Sequence, residues 1–92
     1  MILDYEQKLL GYLDSLIDSA DDDELFAAGY LSGHITLSIS YCEEHSMATT
    51  DDVNERVYSS LVEAQKELTP RDRELVLELW SSAKQTVLAE FL

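Results

Sequence analysis

Apolar residues recur at three- and four-residue steps through nearly the whole chain, and that spacing restricts the fold to packed amphipathic helices. In the first segment Ile2, Tyr5, Leu9, Tyr12, Leu13, Leu16, Ile17 and Ala20 share one broad face. Asp4, with Gln7 three residues on, has the spacing of a capping start, which predicts a helix over about 4–20. Gly11 falls on the polar side, where it weakens the helix by about 1 kcal/mol without interrupting the face.

The acidic run over 18–24 opens the second segment. Asp21 and Glu24 have the spacing of another capping pair, and Asp22, Asp23 and Glu24 fill the first turn. Unsatisfied N–H groups and the helix dipole favour negative charge there. A calcium loop does not fit the same residues. Counted from Asp18 the third ligand position is Ala20; counted from Asp21 the fifth is Leu25; neither frame has the required glycine and final glutamate. The helix predicted over about 22–44 is apolar around more than half its circumference, so it is expected at the centre. Ala28, Leu31, Ile35 and Ile39 make its large-residue face. Gly29, Gly33, Thr36 and Ser40 form a stripe of small residues flanked by Leu25, Phe26 and Leu37, where close packing of a neighbouring helix is expected.

Two more helices follow. After the connection HSMATTDD, Thr49 or Thr50 caps a helix over about 51–67 with the stripe Val53, Val57, Leu61, Ala64 and Leu68. The sharpest boundary is LTPRD: Thr69 suits the cap, Pro70 the first helical position, and Asp72 falls three residues after the cap. The helix over about 70–90 then aligns Val76, Trp80, Ala83, Val87 and Phe91, with Leu75 and Leu79 widening the face. Hydrophobic residues at 46%, with only 3 Gly and 1 Pro, belong to a folded chain. The expected architecture is all-α, a single-domain four-helix bundle over 1–92. Periodicity leaves open whether it is up-and-down or orthogonal.

Two of these segments, DDELFAAGYLSGHITLSIS and LTPRDRELVLELW, resemble the corresponding stretches of the YfcL-like family of small bacterial proteins. The likeness spans most of the chain and is weakest over the middle loop and residues 49–67. It implies a small, helical, cytoplasmic bacterial protein, and it brings no catalytic or binding residues with it.

Charge narrows function further. Nineteen acids against six bases give a net charge of -13, a surface that repels nucleic-acid phosphates and anionic lipid and suits a basic protein partner. No run approaches the roughly 18 apolar residues of a membrane span. The start, MILDYEQKLLGYL, has no basic region before its apolar residues and no small-residue cleavage site, so no secretory signal is expected. Cys42 is the lone cysteine, which rules out a disulfide framework and agrees with a cytoplasmic location.

Constellations for chemistry are thin. GYLSGH is not the G-x-S-x-G of a nucleophile elbow, and Ser32 falls in mid-helix. Cys42 and His45 could share a zinc, but no second pair completes four ligands, and His34 lies about 16 Å away along the helix. No phosphate loop or other cofactor motif is present, so no cofactor is expected. The feature that remains is aromatic. Tyr30, His34 and Tyr41 fall within about 40° of one another on the central helix, with Asp23, Ser38 and His45 nearby. Either a neighbouring helix covers this side and His34 makes one buried hydrogen bond, or the side stays partly open for recognition.

The functional expectation is a non-catalytic protein-interaction module with Tyr30, His34 and Tyr41 as candidate anchors. Two alternatives stand beside it: a small enzyme or enzyme subunit using His34 as general base, and a nucleic-acid mimic that occupies a basic groove. The small stripe would serve a homodimer as well as an internal crossing, so monomer and homodimer both remain open.

Overall fold

A computed structural model describes residues 2–90, and over them the protein is an all-α four-helix bundle. The helices are α1 (Ile2–Ser15), α2 (Asp22–Glu44), α3 (Thr50–Ala64) and α4 (Pro70–Glu90). Phe91, expected on the last apolar stripe, lies outside the described residues. No helix among the described residues is long and apolar enough to cross a membrane.

α2 is central, as its wide apolar arc requires: it packs against α1, α3 and α4, and α1 also packs on α4. Its 23 residues span about 35 Å, which matches the longest dimension of the molecule, 35 Å. The inward arc carries Ala27, Ala28, Leu31, Ile35, Ser38, Ile39 and Cys42. Around it close Ile2, Tyr5, Leu9 and Leu13 of α1, Val53, Val57 and Leu61 of α3, and Val76, Trp80, Ala83 and Val87 of α4. The stripes of α3 and α4 and the α2 residues Ala28, Leu31, Ile35 and Ile39 are those read from the sequence, and the inner arc of α2 also takes in Ala27, Ser38 and Cys42. Tyr5 adds a specific polar link: its buried hydroxyl donates to Asn54 Oδ1 at 2.6 Å, and burial pushes its pKa up to about 12.

Three helix starts are capped as their residues dictate. The Asp21 carboxylate accepts from Glu24 N–H at 2.8 Å while Glu24 accepts from Asp21 N–H at 3.1 Å. Thr49 and Asp52 form the same reciprocal box, which settles the choice between Thr49 and Thr50. Thr69 Oγ1 accepts from Asp72 N–H at 3.2 Å ahead of Pro70. Just past the end of α3, the Arg73 guanidinium donates to the Gln65 and Leu68 carbonyls, tying the start of α4 to the turn that precedes it.

Four expectations need correction. Asp4 is not a cap; α1 already includes Ile2, so Asp4 sits in the first turn, where the dipole favours it. α1 also stops at Ser15, short of residue 20. Ser15 Oγ donates to the Tyr12 carbonyl, and the chain tightens into a 3₁₀ turn at Ile17–Ser19, leaving Ile17 44% exposed. α3 tightens in the same way, ending at Ala64 before a 3₁₀ turn at Gln65–Glu67. The small stripe is not a crossing point within the bundle. Gly29, Gly33, Thr36 and Ser40 are all exposed, and a Cβ at either glycine would meet no atom within 4 Å. The bulky arc won the interior because it buries far more apolar surface.

The end of α2 holds a feature the connection HSMATTDD did not reveal. Ser46 adopts φ 57°, Ser46 N–H reaches the Glu43 carbonyl, and Met47 N–H reaches the Cys42 carbonyl at 2.8 Å. This is a Schellman termination with serine at the left-handed position that glycine fills most easily.

Two stability changes follow. Gly33→Ala should raise stability by about 1 kcal/mol, because the site is open and alanine is the better helix former. Ser46→Gly should also stabilise, by about 1 kcal/mol, by relieving the left-handed serine. Urea denaturation reads both; a loss in the first case would mean that the face is packed in solution.

Candidate functional site on the central helix

The three candidate residues do not form one site. Four-residue steps stack Phe26, Tyr30 and His34 along one ridge of α2. Ring centroids of Phe26 and Tyr30 lie 5.8 Å apart, and those of Tyr30 and His34 lie 4.6 Å apart. Tyr41 is about 10 Å beyond His34 along the helix and belongs to a second group. Its ring stacks on His45 at 4.0 Å, and the Arg56 guanidinium carbon lies 4.2 Å from its centroid. The other residues near this side on the wheel scatter. Asp23 pairs with Arg71 at 3.3 Å, His45 joins Tyr41, and Ser38 is buried with no hydrogen-bond partner for its hydroxyl.

α3 flanks the ridge without sealing it. Tyr30 Oη donates to Glu67 Oε2 at 3.3 Å, and Tyr30 and His34 both remain half-buried. Desolvation, with the Glu67 charge alongside, pushes the Tyr30 hydroxyl up from its ordinary range. His34 Nδ1 lies 2.9 Å from Ser60 Oγ, and Ser60 Oγ in turn donates to the Val57 carbonyl at 2.9 Å. The serine has one proton and that bond uses it, so this network assigns His34 Nδ1–H as the donor. His34 is thereby held as an orienting donor, and the pair is not arranged for His34 to take the serine proton. Of the two alternatives, a side covered by a neighbouring helix and a side left partly open, the geometry has elements of both: the ridge is braced on one flank by Ser60 and Glu67, and its side chains stay partly exposed.

Cys42 has no exposed surface, and burial, then Asp52, pushes its thiol up, away from the reactive thiolate. His45 Nδ1 donates to the Tyr41 carbonyl at 2.8 Å, which occupies one of its ring nitrogens. Among the described residues no three His, Cys, Asp or Glu side chains gather in a metal-binding arrangement.

A wheel of α2 alone holds none of the partners from the facing segments: Arg56 and Ser60 of α3, and Glu67 of the 3₁₀ turn that follows it. Val57 and Leu61 point inward, so Arg56 and Ser60, each one position before them, border the α2 seam. A separate cleft of ≈ 200 Å³ between the start of α2 and the middle of α4 also escaped the pattern analysis.

Burial holds the His34 imidazole below its ordinary value of 6.5, with Glu67 partly opposing the shift. A depressed native pKa means that the unfolded chain takes up the proton first as pH falls. The neutral ring therefore contributes stability above about pH 6.5 that is lost as pH drops through the native value. Wild type should lose stability relative to His34→Gln between about pH 7 and pH 5 in paired urea melts. Parallel pH profiles would contradict this placement of His34.

Comparison with known proteins adds family relationships. The family model described as "YfcL protein" matches residues 3–85. The chain is similar to "Uncharacterized protein YfcL" of Escherichia coli (strain K12), 41% identical over 87 residues, covering 92% of this chain and 95% of that protein. No solved structure gives a significant match.

Proposed function

The chain belongs to the YfcL family, and we propose that it works as a non-catalytic protein-interaction module in the cytoplasm, docking a basic or mixed protein surface. The observation that carries this reading is the Phe26–Tyr30–His34 ridge: aromatic, half-open, and held in place by hydrogen bonds to Ser60 of α3 and to Glu67 of the 3₁₀ turn that follows it. Pre-oriented aromatic side chains supply large contact area at low entropic cost, which is why tyrosine is enriched at interfaces. Tyr30 and His34 are the central anchors. Tyr41, sandwiched into its own group with His45 and Arg56, serves as an outlying contact.

Electrostatics supports a basic partner. Of the six bases, Lys8 pairs with Glu90, Arg71 with Asp23, Arg73 with backbone carbonyls, Arg56 with the Tyr41 ring and Lys84 with the Trp80 ring. Internal contacts thus occupy most of the positive charge, and the excess carboxylates face solvent and steer cationic surfaces inward. The mimic reading uses the same charge, but the acids gather at helix starts such as 21–24 and 51–52 instead of tracing the paired rows of a duplex.

An immobilised full chain should retain a basic protein from lysate, with association slowing as salt rises. Tyr30→Ala should weaken that complex about tenfold or more, whereas Tyr30→Phe, which keeps the ring, should weaken it less. Retention of no specific partner at either low or moderate salt, or unchanged binding by Tyr30→Ala, counts against the proposal.

A further inference from the structure

The cleft noted above lies on a different side of α2 from the Tyr30 ridge, and its origin is a local shortage of side-chain volume. Ala20, Ala27 and Ala28 present only methyl groups where α2 meets α4, and α1 has already ended at Ser15. The 3₁₀ turn at Ile17–Ser19 carries the chain past the gap without filling it. Leu16, Leu75 and Leu79 are left half-buried around the opening. Because the alanines spread over two segments and the break in α1 is a tertiary event, neither shows as a motif.

Size and charge together select an occupant. The volume, ≈ 200 Å³, falls below the roughly 300–1,000 Å³ of small-molecule sites and suits one or two apolar side chains. The polar lining consists of Glu24 from α2, Glu78 from α4 and Ser82, with no basic residue. Arg71, in the adjoining recess with Glu74 and Glu78, is already engaged by Asp23 at 3.3 Å. A second copy of the chain, itself at -13, would bring further carboxylates toward this acidic rim. The complementary chemistry is an apolar anchor flanked by cations.

We propose that this cleft is a second docking site, taking a partner-protein segment whose Leu, Ile, Phe or Met anchor is flanked by Lys or Arg. The anchor fills the space above Ala20, Ala27 and Ala28, and the flanking cations meet Glu24 and Glu78 at the rim. This goes beyond the Tyr30 reading and rests on separate residues, so either can fail while the other stands. An anchor in a pre-formed pocket with charges at its edge is the usual arrangement of an interface hot spot.

The test uses ¹⁵N-labelled full chain titrated with an amphipathic Leu/Lys helical peptide, and with a Ser/Lys peptide of equal charge as the anchor-free control. The Leu/Lys peptide should shift the amide signals of Ala20, Ala27, Ala28 and Ser82 saturably, and bind about tenfold or more tightly than Ser/Lys. Ala20→Leu, which fills the cleft, and Glu78→Lys, which reverses its rim, should each weaken Leu/Lys binding about tenfold. Ser82→Leu, at an exposed helical position, supplies the same block if Ala20→Leu loses its dispersed spectrum. Equal binding of the two peptides would reduce the interaction to surface charge and overturn the proposal. So would shifts centred on Tyr30 and His34, no saturable shift at millimolar peptide, or full binding by the filled variants.

Discussion

The bundle depends first on burial of the inner arc of α2. Leu31, Ile35, Ile39 and Cys42 are at most 2% exposed, and every other helix presents its own stripe to them. Full burial of one such aliphatic side chain is worth about 1.5–3 kcal/mol. A helix cap contributes about 1 kcal/mol and an exposed ion pair about 0–1 kcal/mol. Lys8–Glu90 and Arg71–Asp23 join different helices, but both are roughly half-exposed, so they adjust the fold more than they hold it. The hierarchy explains why a chain with so large a charge imbalance still closes: repulsion acts across a solvated surface, whereas the apolar term acts where water is excluded.

Placing the acids follows from the same ordering. Carboxylates at 21–24 and 51–52 satisfy free N–H groups at helix starts, and there the macrodipole makes negative charge favourable. Two of the bases, by contrast, brace contacts between segments, Arg73 at a helix end and Arg56 over the Tyr41 ring, while Lys84 lies over Trp80 one turn back in its own helix. The molecule therefore presents an acidic exterior interrupted by apolar and aromatic openings.

Two such openings lie on different sides of the central helix. The ridge of Phe26, Tyr30 and His34 is built from side chains that project and are braced by Ser60 of α3 and Glu67 of the turn after it. The alanine-lined cleft against α4 is built from side chains that are too short. A helix that is central to the core can serve both, because its inner arc fixes its position and its flanks remain available at the seams.

Much of the architecture was legible in local spacing. The stripes of α3 and α4, the caps at Asp21 and Thr69, a cap at Thr49 or Thr50, and the central place of α2 all follow from side-chain period and from which residues can satisfy free N–H groups. Those are properties of a few neighbouring residues, so the amino-acid order determines them by itself. Which arc of α2 faced inward, and hence that Gly29 and Gly33 face water, was settled only when three neighbours competed for the larger apolar surface. The early end of α1, the donor role of His34 toward Ser60, the separation of Tyr41 from Tyr30, and the cleft over Ala20, Ala27 and Ala28 likewise belong to the tertiary structure. Each depends on atoms from segments far apart in the chain, and a helical wheel holds the geometry of only one.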